Sequence, residues 1–339
     1  MTTRSRSRPL LLVSAALVAS LALGVTAGAA GIPPRGIALA LLDLLPFVTV
    51  DSGLTPVEQG LLFELRVPRV LLVAMVGGLL AIAGAGYQGV FRNPLADPYL
   101  LGAAAGAGLT VTLAVVFTRG GGLTVPAAAF AGAVGGVLLS YTLGRTAGRG
   151  GGTATLILAG VAVSSFLTAL QAFVQQLKVD ELQRIYAWIL GGVGGGWDQL
   201  RMIAPYAVLS SAVLLLHGRL LDVLSVGDEE ATSLGLHAGR TRVAVLLAAS
   251  LATASAVAVS GLIGFVGTVV PHAVRRLAGW SYRTVLPLSL LGGAAFLVLA
   301  DLVARLALAP AELPIGVVTA FVGAPFFIAV LRATKREGV

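Results

Sequence analysis

Apolar residues run through this chain in long blocks, separated by short breaks rich in glycine, proline and charge, rather than on one stripe of each helix. Blocks near residues 10–30, 67–91, 99–118, 123–143, 153–176, 199–218, 240–258, 262–277, 284–308 and 314–331 are mostly close to the roughly 20 residues that a helix needs to cross a hydrocarbon core. The pattern predicts an all-α, polytopic membrane fold of about ten transmembrane helices, with residues 1–339 forming one transmembrane domain. Two places break it. After Gly89 the chain reads Phe91-Arg92-Asn93-Pro94-Leu95-Ala96-Asp97-Pro98, where two prolines and two turn-forming polar residues end the second helix. Gly261, Gly264 and Gly267 precede Pro271-His272, so the eighth span is expected to be short, and irregular backbone at that depth needs protein or water around it.

Composition agrees with the pattern and narrows it. The chain is 57% apolar and 11% charged, where ordinary globular domains carry about 25% charged residues. Its mean hydropathy is +0.95. Ten spans would use roughly 200 residues, so any soluble catalytic domain is expected in another subunit. The formal charge of +8 comes from 23 basic and 15 acidic residues. With the start of the chain inside, fifteen of the 23 fall on inner segments and eight on outer ones, which predicts both ends in the cytoplasm. No basic run with interleaved aromatic residues occurs, which argues against a nucleic-acid partner. Cysteine is absent, which excludes disulfides, thiol chemistry and Cys-based metal sites. Arg4, Arg6 and Arg8 before Leu10 to Ala30 could head a signal peptide, but 21 apolar positions exceed the roughly 7 to 15 of a signal core, which favours a retained first helix. Trp188, Trp197, Trp280, Tyr99, Tyr141, Tyr186 and Tyr282 all fall at predicted span ends, as an aromatic belt at headgroup level requires.

The fifth span carries Ser164, Thr168, Gln171 and Gln175 at steps of four, three and four, one face of a helix. Such residues provide hydrogen bonds between membrane helices, or they form the wall of a polar, uncharged pathway; four in a stack favour the pathway. Apart from Asp301 and Arg305 near an outer end, which are four apart and can pair, no ionisable residue lies deep in a predicted helix. Ion-driven transporters normally keep one on their path, so an ion-coupled secondary transporter is the alternative rather than the first reading. A P-loop is also absent, because Lys178 and Lys335 follow Leu177 and Thr334 rather than glycine. An external ATPase is the natural energy source. Neither a Gly-x-Ser-x-Gly elbow nor a His-Glu-x-x-His pair supports an intramembrane hydrolase. His217, His237 and His272 lack metal-ligand spacing, and no cofactor is implied. In the inner loop 219–242, the run Gly227-Asp228-Glu229-Glu230-Ala231-Thr232-Ser233-Leu234-Gly235 reads as a short helix with acids at its positive end and glycine at its close. It is either a solvated interfacial helix or a coupling helix that inserts Ala231 and Leu234 into an ATPase groove.

Four separated stretches carry a resemblance: Arg66-Val67-Pro68-Arg69-Val70-Leu71-Leu72, Arg92 to Pro98, Gly261-Leu262-Ile263-Gly264-Phe265-Val266-Gly267 with Pro271-His272, and Glu312-Leu313-Pro314-Ile315-Gly316-Val317-Val318-Thr319. In that order, over roughly residues 10 to 332, the chain resembles the FecCD family of ABC importer permeases. Asp301 to Thr319 looks most like the members that import vitamin B12. The resemblance implies a homodimer of ten-helix permeases in the bacterial cytoplasmic membrane, in contact with lipid. Two ATPases would dock below and a periplasmic or lipid-anchored binding protein above, with iron chelates, haem or cobalamin as cargo. It makes Gly227 to Gly235 the coupling helix, and Arg66, Arg69 and Arg305 the outer arginines that meet acids of the binding protein. It places the inner gate at Thr153 and Ala154, after Gly150, Gly151 and Gly152; Ala154 stands where the vitamin B12 permeases have a second hydroxyl. Arg184, in the short outer helix, becomes a candidate for an anionic cargo or a lipid headgroup.

Overall fold

The computed structural model describes residues 4–28, 31–46, 49–118, 122–146 and 153–336, and the helices it contains follow the apolar blocks. Gly150, Gly151 and Gly152 of the expected gate loop lie outside the described residues. The first span is α1 (Arg4–Thr26), which stops short of residue 30. Then come α2 (Pro34–Leu42) and α3 (Pro56–Gly60), which one π-helical stretch, Leu61–Arg66, joins to α4 (Val67–Phe91). The middle of the chain supplies α5 (Ala103–Thr118), α6 (Thr124–Thr146), α7 (Thr153–Leu177), α8 (Leu182–Ile189) and α9 (Trp197–Leu216). Next are α10 (Gly218–Leu224), α11 (Asp228–Ser233), α12 (Ala238–Ser260), α13 (Val266–Ala278), α14 (Tyr282–Leu306) and α15 (Ile315–Arg336). Seven of the described helices are long and apolar enough to span a membrane, with α5 and the apolar stretch Ile315–Ala329 of α15 shorter. The eighth expected span is the 13-residue α13.

Connectivity fixes two ends. One carries α2, α3 and α8; the other carries α10 and α11. The centre is α4, buried along nearly its whole length and packed against α9, α12, α13 and α14. Lipid tails are as apolar as leucine, so helices in a bilayer associate by close packing rather than by escape from water. The small residues of α4 supply that packing. A Cβ on Gly77 would overlap the Gly293 carbonyl of α14, and one on Gly84 would overlap the Gly267 carbonyl of α13. Gly106 of α5 and Gly132 of α6 meet in the same way.

Both expected breaks are present. Arg92 closes α4 in the left-handed conformation (φ 49°), and a turn-rich segment leads to α5. Gly261 to Phe265 is non-helical, and its backbone is enclosed by protein: the Ile263 N–H donates to Tyr99 Oη and the Tyr99 hydroxyl donates to the Ile263 carbonyl, both at 3.1 Å. Nearby, the Gly192 N–H donates to the Ser260 carbonyl and the Ile315 N–H to the Gly191 carbonyl, each at 2.9 Å. At the α2 and α3 end, Thr55 and Glu58 form a reciprocal capping box on α3.

The crossings give a direct test. Gly84→Val is expected to cost about 3 kcal/mol or more, because overpacking against backbone cannot relax through a side chain. Gly135→Ala, where nothing lies within 4 Å of the new Cβ, is expected to be neutral or slightly stabilising. Thermal unfolding in detergent reads both, and equal losses would show that backbone contact at Gly84 is not what holds α4.

Candidate functional site

The α7 stripe lines one cavity. Ser164, Thr168, Gln171 and Gln175 face a space of about 480 Å³ completed by Tyr99, by Ala104 and Ala105 of α5, by Tyr186 and Ile189 of α8, and by Leu262. None of its described lining residues is charged. Gln171 is buried, with its amide oxygen 2.5 Å from where a Cβ on Gly108 would sit. Thr168 remains exposed, so one chain encloses only part of the polar wall. Tyr99, Tyr186 and Leu262 come from three remote segments, and nothing in their local spacing links them to α7. At the opposite end of α7, Ala154 is exposed and Thr153 begins the helix, but the Thr153 side chain lies outside the described residues. Arg184 is half exposed and pairs with Glu181 at 3.1 Å, and it is not among the cavity-lining residues.

At the α2, α3 and α8 end, the three arginines expected to face outward are engaged within the chain. Asp301, 1% exposed, accepts from Arg305 Nε at 2.8 Å on one oxygen and from Arg69 Nη2 at 2.9 Å on the other. Arg69 also grips both oxygens of Glu312, at 2.9 and 2.8 Å. Arg305 donates to the Gly24 and Ala27 carbonyls, and Arg66 to those of Val25 and Thr26. Two guanidinium groups thus satisfy the last carbonyls of α1, where the helix dipole also favours positive charge. Arg66 and Arg305 are only 9% and 7% exposed, because holding those carbonyls draws them inward. Of the three arginines that the resemblance assigns to docking, these two are thus buried in contacts within the chain. Arg69 is partly accessible, shielded by the half-exposed Glu312.

At the other end, α11 is fastened to the spans by carboxylates. Asp228 at its first position pairs with Arg92 and with Arg242 of α12, while Arg92 Nε donates to the Leu224 carbonyl at 2.8 Å. The Arg242 guanidinium, with Arg92 beside it, holds the Asp228 carboxyl below the usual carboxylate range. Asp222 of α10 accepts from Ser281 Oγ at 2.7 Å and from the Tyr282 N–H at 2.6 Å, tying α10 to the start of α14. Glu230 folds back over Gly227, which has φ 150°, and a Cβ there would displace the Glu230 carboxylate. Gly235, with φ 82°, follows α11 in the positive-φ conformation that glycine allows. Ala231 is fully buried against this chain and cannot insert into a partner, whereas Leu234 is 70% exposed and Glu229 is exposed.

A model described as the FecCD transport family matches residues 16–333. The chain is 39% identical over 327 residues to the uncharacterized ABC transporter permease protein YvrB of Bacillus subtilis, covering 95% of this chain and 92% of the relative. It is 40% identical to the cobalamin import system permease protein BtuC of Halobacterium salinarum, over 89% of this chain and 80% of the relative. The hemin transport system permease protein HmuU of Yersinia pestis is 39% identical over 81% and 84% of the two chains. A solved inward-facing structure described as a metal-chelate type ABC transporter aligns with TM-score 0.83 at 30% identity, over 96% of this chain and 99% of that one.

The outer cluster makes the first charge prediction. Asp301→Ala takes the carboxylate from the buried Arg305 and leaves Arg69 with Glu312 alone, at an expected cost of about 3–5 kcal/mol. Arg305→Ala added to that variant is expected to restore part of the loss, read as coupling in a double-mutant cycle. Glu312→Gln is expected to stay within about 1 kcal/mol, since the pair is exposed. Arg69 lowers the Glu312 carboxyl below its ordinary range, so the small contribution of this pair is present above that range and disappears as pH falls through the lowered value. Equal melting temperatures for the Asp301 and Glu312 variants would refute this ranking.

Proposed function

The chain belongs to the FecCD transport family, and from that premise we propose that its polar cavity passes an iron chelate, such as a siderophore complex or haem, or a cobalamin-like molecule across the membrane. As a multi-pass membrane permease of an ABC importer it makes and breaks no bond, and ATP hydrolysis lies in a separate subunit. One observation carries the reading of the path: four uncharged polar side chains of α7, scattered over twelve residues of sequence, share a single cavity with no acidic, basic or histidine side chain among its described lining residues. A large cargo can slide along such a wall through many weak contacts, whereas ion-coupled transporters normally keep an Asp, Glu, Lys, Arg or His on the path.

The exposed Thr168 and the long apolar face of α7, where Phe166 and Phe173 are more than half exposed, favour a second copy of the chain closing the path. The α10 and α11 end is assigned to the cytoplasm, supported by the excess of arginine on that side, and both ends of the chain lie there with it. The substrate-binding protein docks at the α2, α3 and α8 end, where its carboxylates replace Glu312 on Arg69 while Arg66 and Arg305 keep α1 in place. At the cytoplasmic end Leu234 and Glu229 meet the ATPase. Movement of α11 reaches α4 and α12 through Asp228, and the path opens at the start of α7, by Thr153 and Ala154.

Reconstitution tests the reading. Proteoliposomes holding the permease, its ATPase and its binding protein are expected to accumulate one of cobalamin, ferric siderophore or haem only with ATP on the α11 side. Leu234→Arg is expected to lower both ATPase association and uptake at least about tenfold, as charge in a desolvated helix groove costs more than 1.4 kcal/mol. Uptake that follows an ion gradient without ATP would sink the importer reading. Normal uptake by Leu234→Arg would remove only α11 from the contact.

A further inference from the structure

A second cavity, about 810 Å³, lies away from the α7 stripe, between the last turns of α4 and α6 and the first turns of α7 and α12. Leu156, its lining residue on α7, is eight residues before Ser164 and therefore roughly 80° around the helix from the stripe. The walls of this cavity are apolar, with Phe91, Leu246 and Leu247 among them, and its mouth carries Arg145, Arg240 and Arg242. No acidic residue lines it among the described residues. Arg242 is engaged by Asp228. Arg145 stands over the Tyr141 ring, 5.7 Å from its centroid, and both Arg145 and Arg240 are exposed, with no ion pair to either among the described residues. Leu246 and Leu247 lie six and seven residues beyond Arg240 on α12, roughly 10 Å along the axis. Leu247 is 47% exposed, so the apolar wall continues onto the outer surface of α12.

Cations at the mouth and hydrocarbon walls about 10 Å further in are the order of charge and oil in a glycerophospholipid. Basic pockets between membrane helices on the cytoplasmic side hold anionic headgroups for this reason. We infer that this cavity binds one anionic phospholipid of the adjoining leaflet, its phosphate and headgroup on Arg145 and Arg240 and its acyl chains along Leu246 and Leu247. A zwitterionic lipid brings a cation of its own to the same arginines and is held less well. The bound lipid bridges α6 and α12 beside the first turn of α7. That the leaflet is the cytoplasmic one rests on the orientation proposed above, but lipid binding in a symmetric bilayer does not depend on it.

The test uses the full permease co-purified with its ATPase from nanodiscs of mixed phosphatidylglycerol and phosphatidylcholine, with retained lipid counted by native mass spectrometry. Phosphatidylglycerol is expected to be enriched over phosphatidylcholine. Arg145→Gln with Arg240→Gln is expected to lower its retention roughly thirtyfold, two surface cations at about 1 kcal/mol each. Arg145→Lys with Arg240→Lys keeps the charge and is expected to retain most of it. Arg276→Gln with Arg283→Gln removes the same charge from exposed positions at the same end and is expected to change nothing. A melting scan with short-chain phosphatidylglycerol, phosphatidylcholine or inorganic phosphate confirms folding of each variant and identifies the ligand, stabilisation by phosphatidylglycerol alone being the expected result. Equal retention of both lipids, equal loss in both glutamine pairs, or a phosphate shift matching the lipid shift would overturn the proposal. So would lipid that stays on the isolated permease and leaves when the ATPase binds, which would make the cavity part of a protein interface. Thiol labelling of the Arg240→Cys variant from the α2 and α3 side would overturn the orientation alone and leave the lipid site standing.

Discussion

Backbone against backbone at the glycine crossings is the constraint on which the bundle depends. Dispersion falls off steeply with distance, and helices in lipid have little else to hold them, so α4 can sit at the centre only where Gly77 and Gly84 let α14 and α13 come against it. The same rule builds the pair α5 and α6 around Gly106 and Gly132. Polar side chains are then left for other tasks. The hydroxyls and amides along α7 do not have to hold the bundle together, and they are gathered on a cavity instead.

Two aspartates tie the short helices to the bundle at the α10 and α11 end. Asp222 caps α14, and Asp228 joins the end of α4 to the start of α12. Each reaches a helix packed on the α4 core, so displacement of the short helices acts on the most buried part of the molecule rather than on a loop. Arg92 is the junction of this arrangement. Its left-handed backbone ends α4, and its side chain reaches both Leu224 and Asp228.

The span pattern was legible because long apolar blocks with proline and glycine breaks have few other physical solutions, and the ten blocks coincide with ten helices within a few residues, α5 and α13 starting about four residues late. The stripe on α7 was legible because its spacing is local. What escaped was set by long-range geometry. Tyr99 and Leu262 join the cavity only because the break after α12 folds back toward the start of α5. Arg66 and Arg305 read as outward charges because each sits at a span end, yet the unpaired carbonyls at the end of α1 claim them. Ala231 read as available because it lies on a short exposed helix; its burial depends on which face of α11 turns inward.

The grip on α1 bears on how this protein can change over generations. Arg66 and Arg305 hold main-chain oxygens, which every residue type carries, and much of the α1 surface faces outward. Gly24 and Ser20 are exceptions, since a Cβ on Gly24 would crowd Val298 at 2.9 Å and Ser20 is buried. Selection at this helix is therefore expected to act on length, on hydrophobicity and on two small residues, with the rest of its sequence able to drift among apolar residues as long as the two arginines and Asp301 are kept.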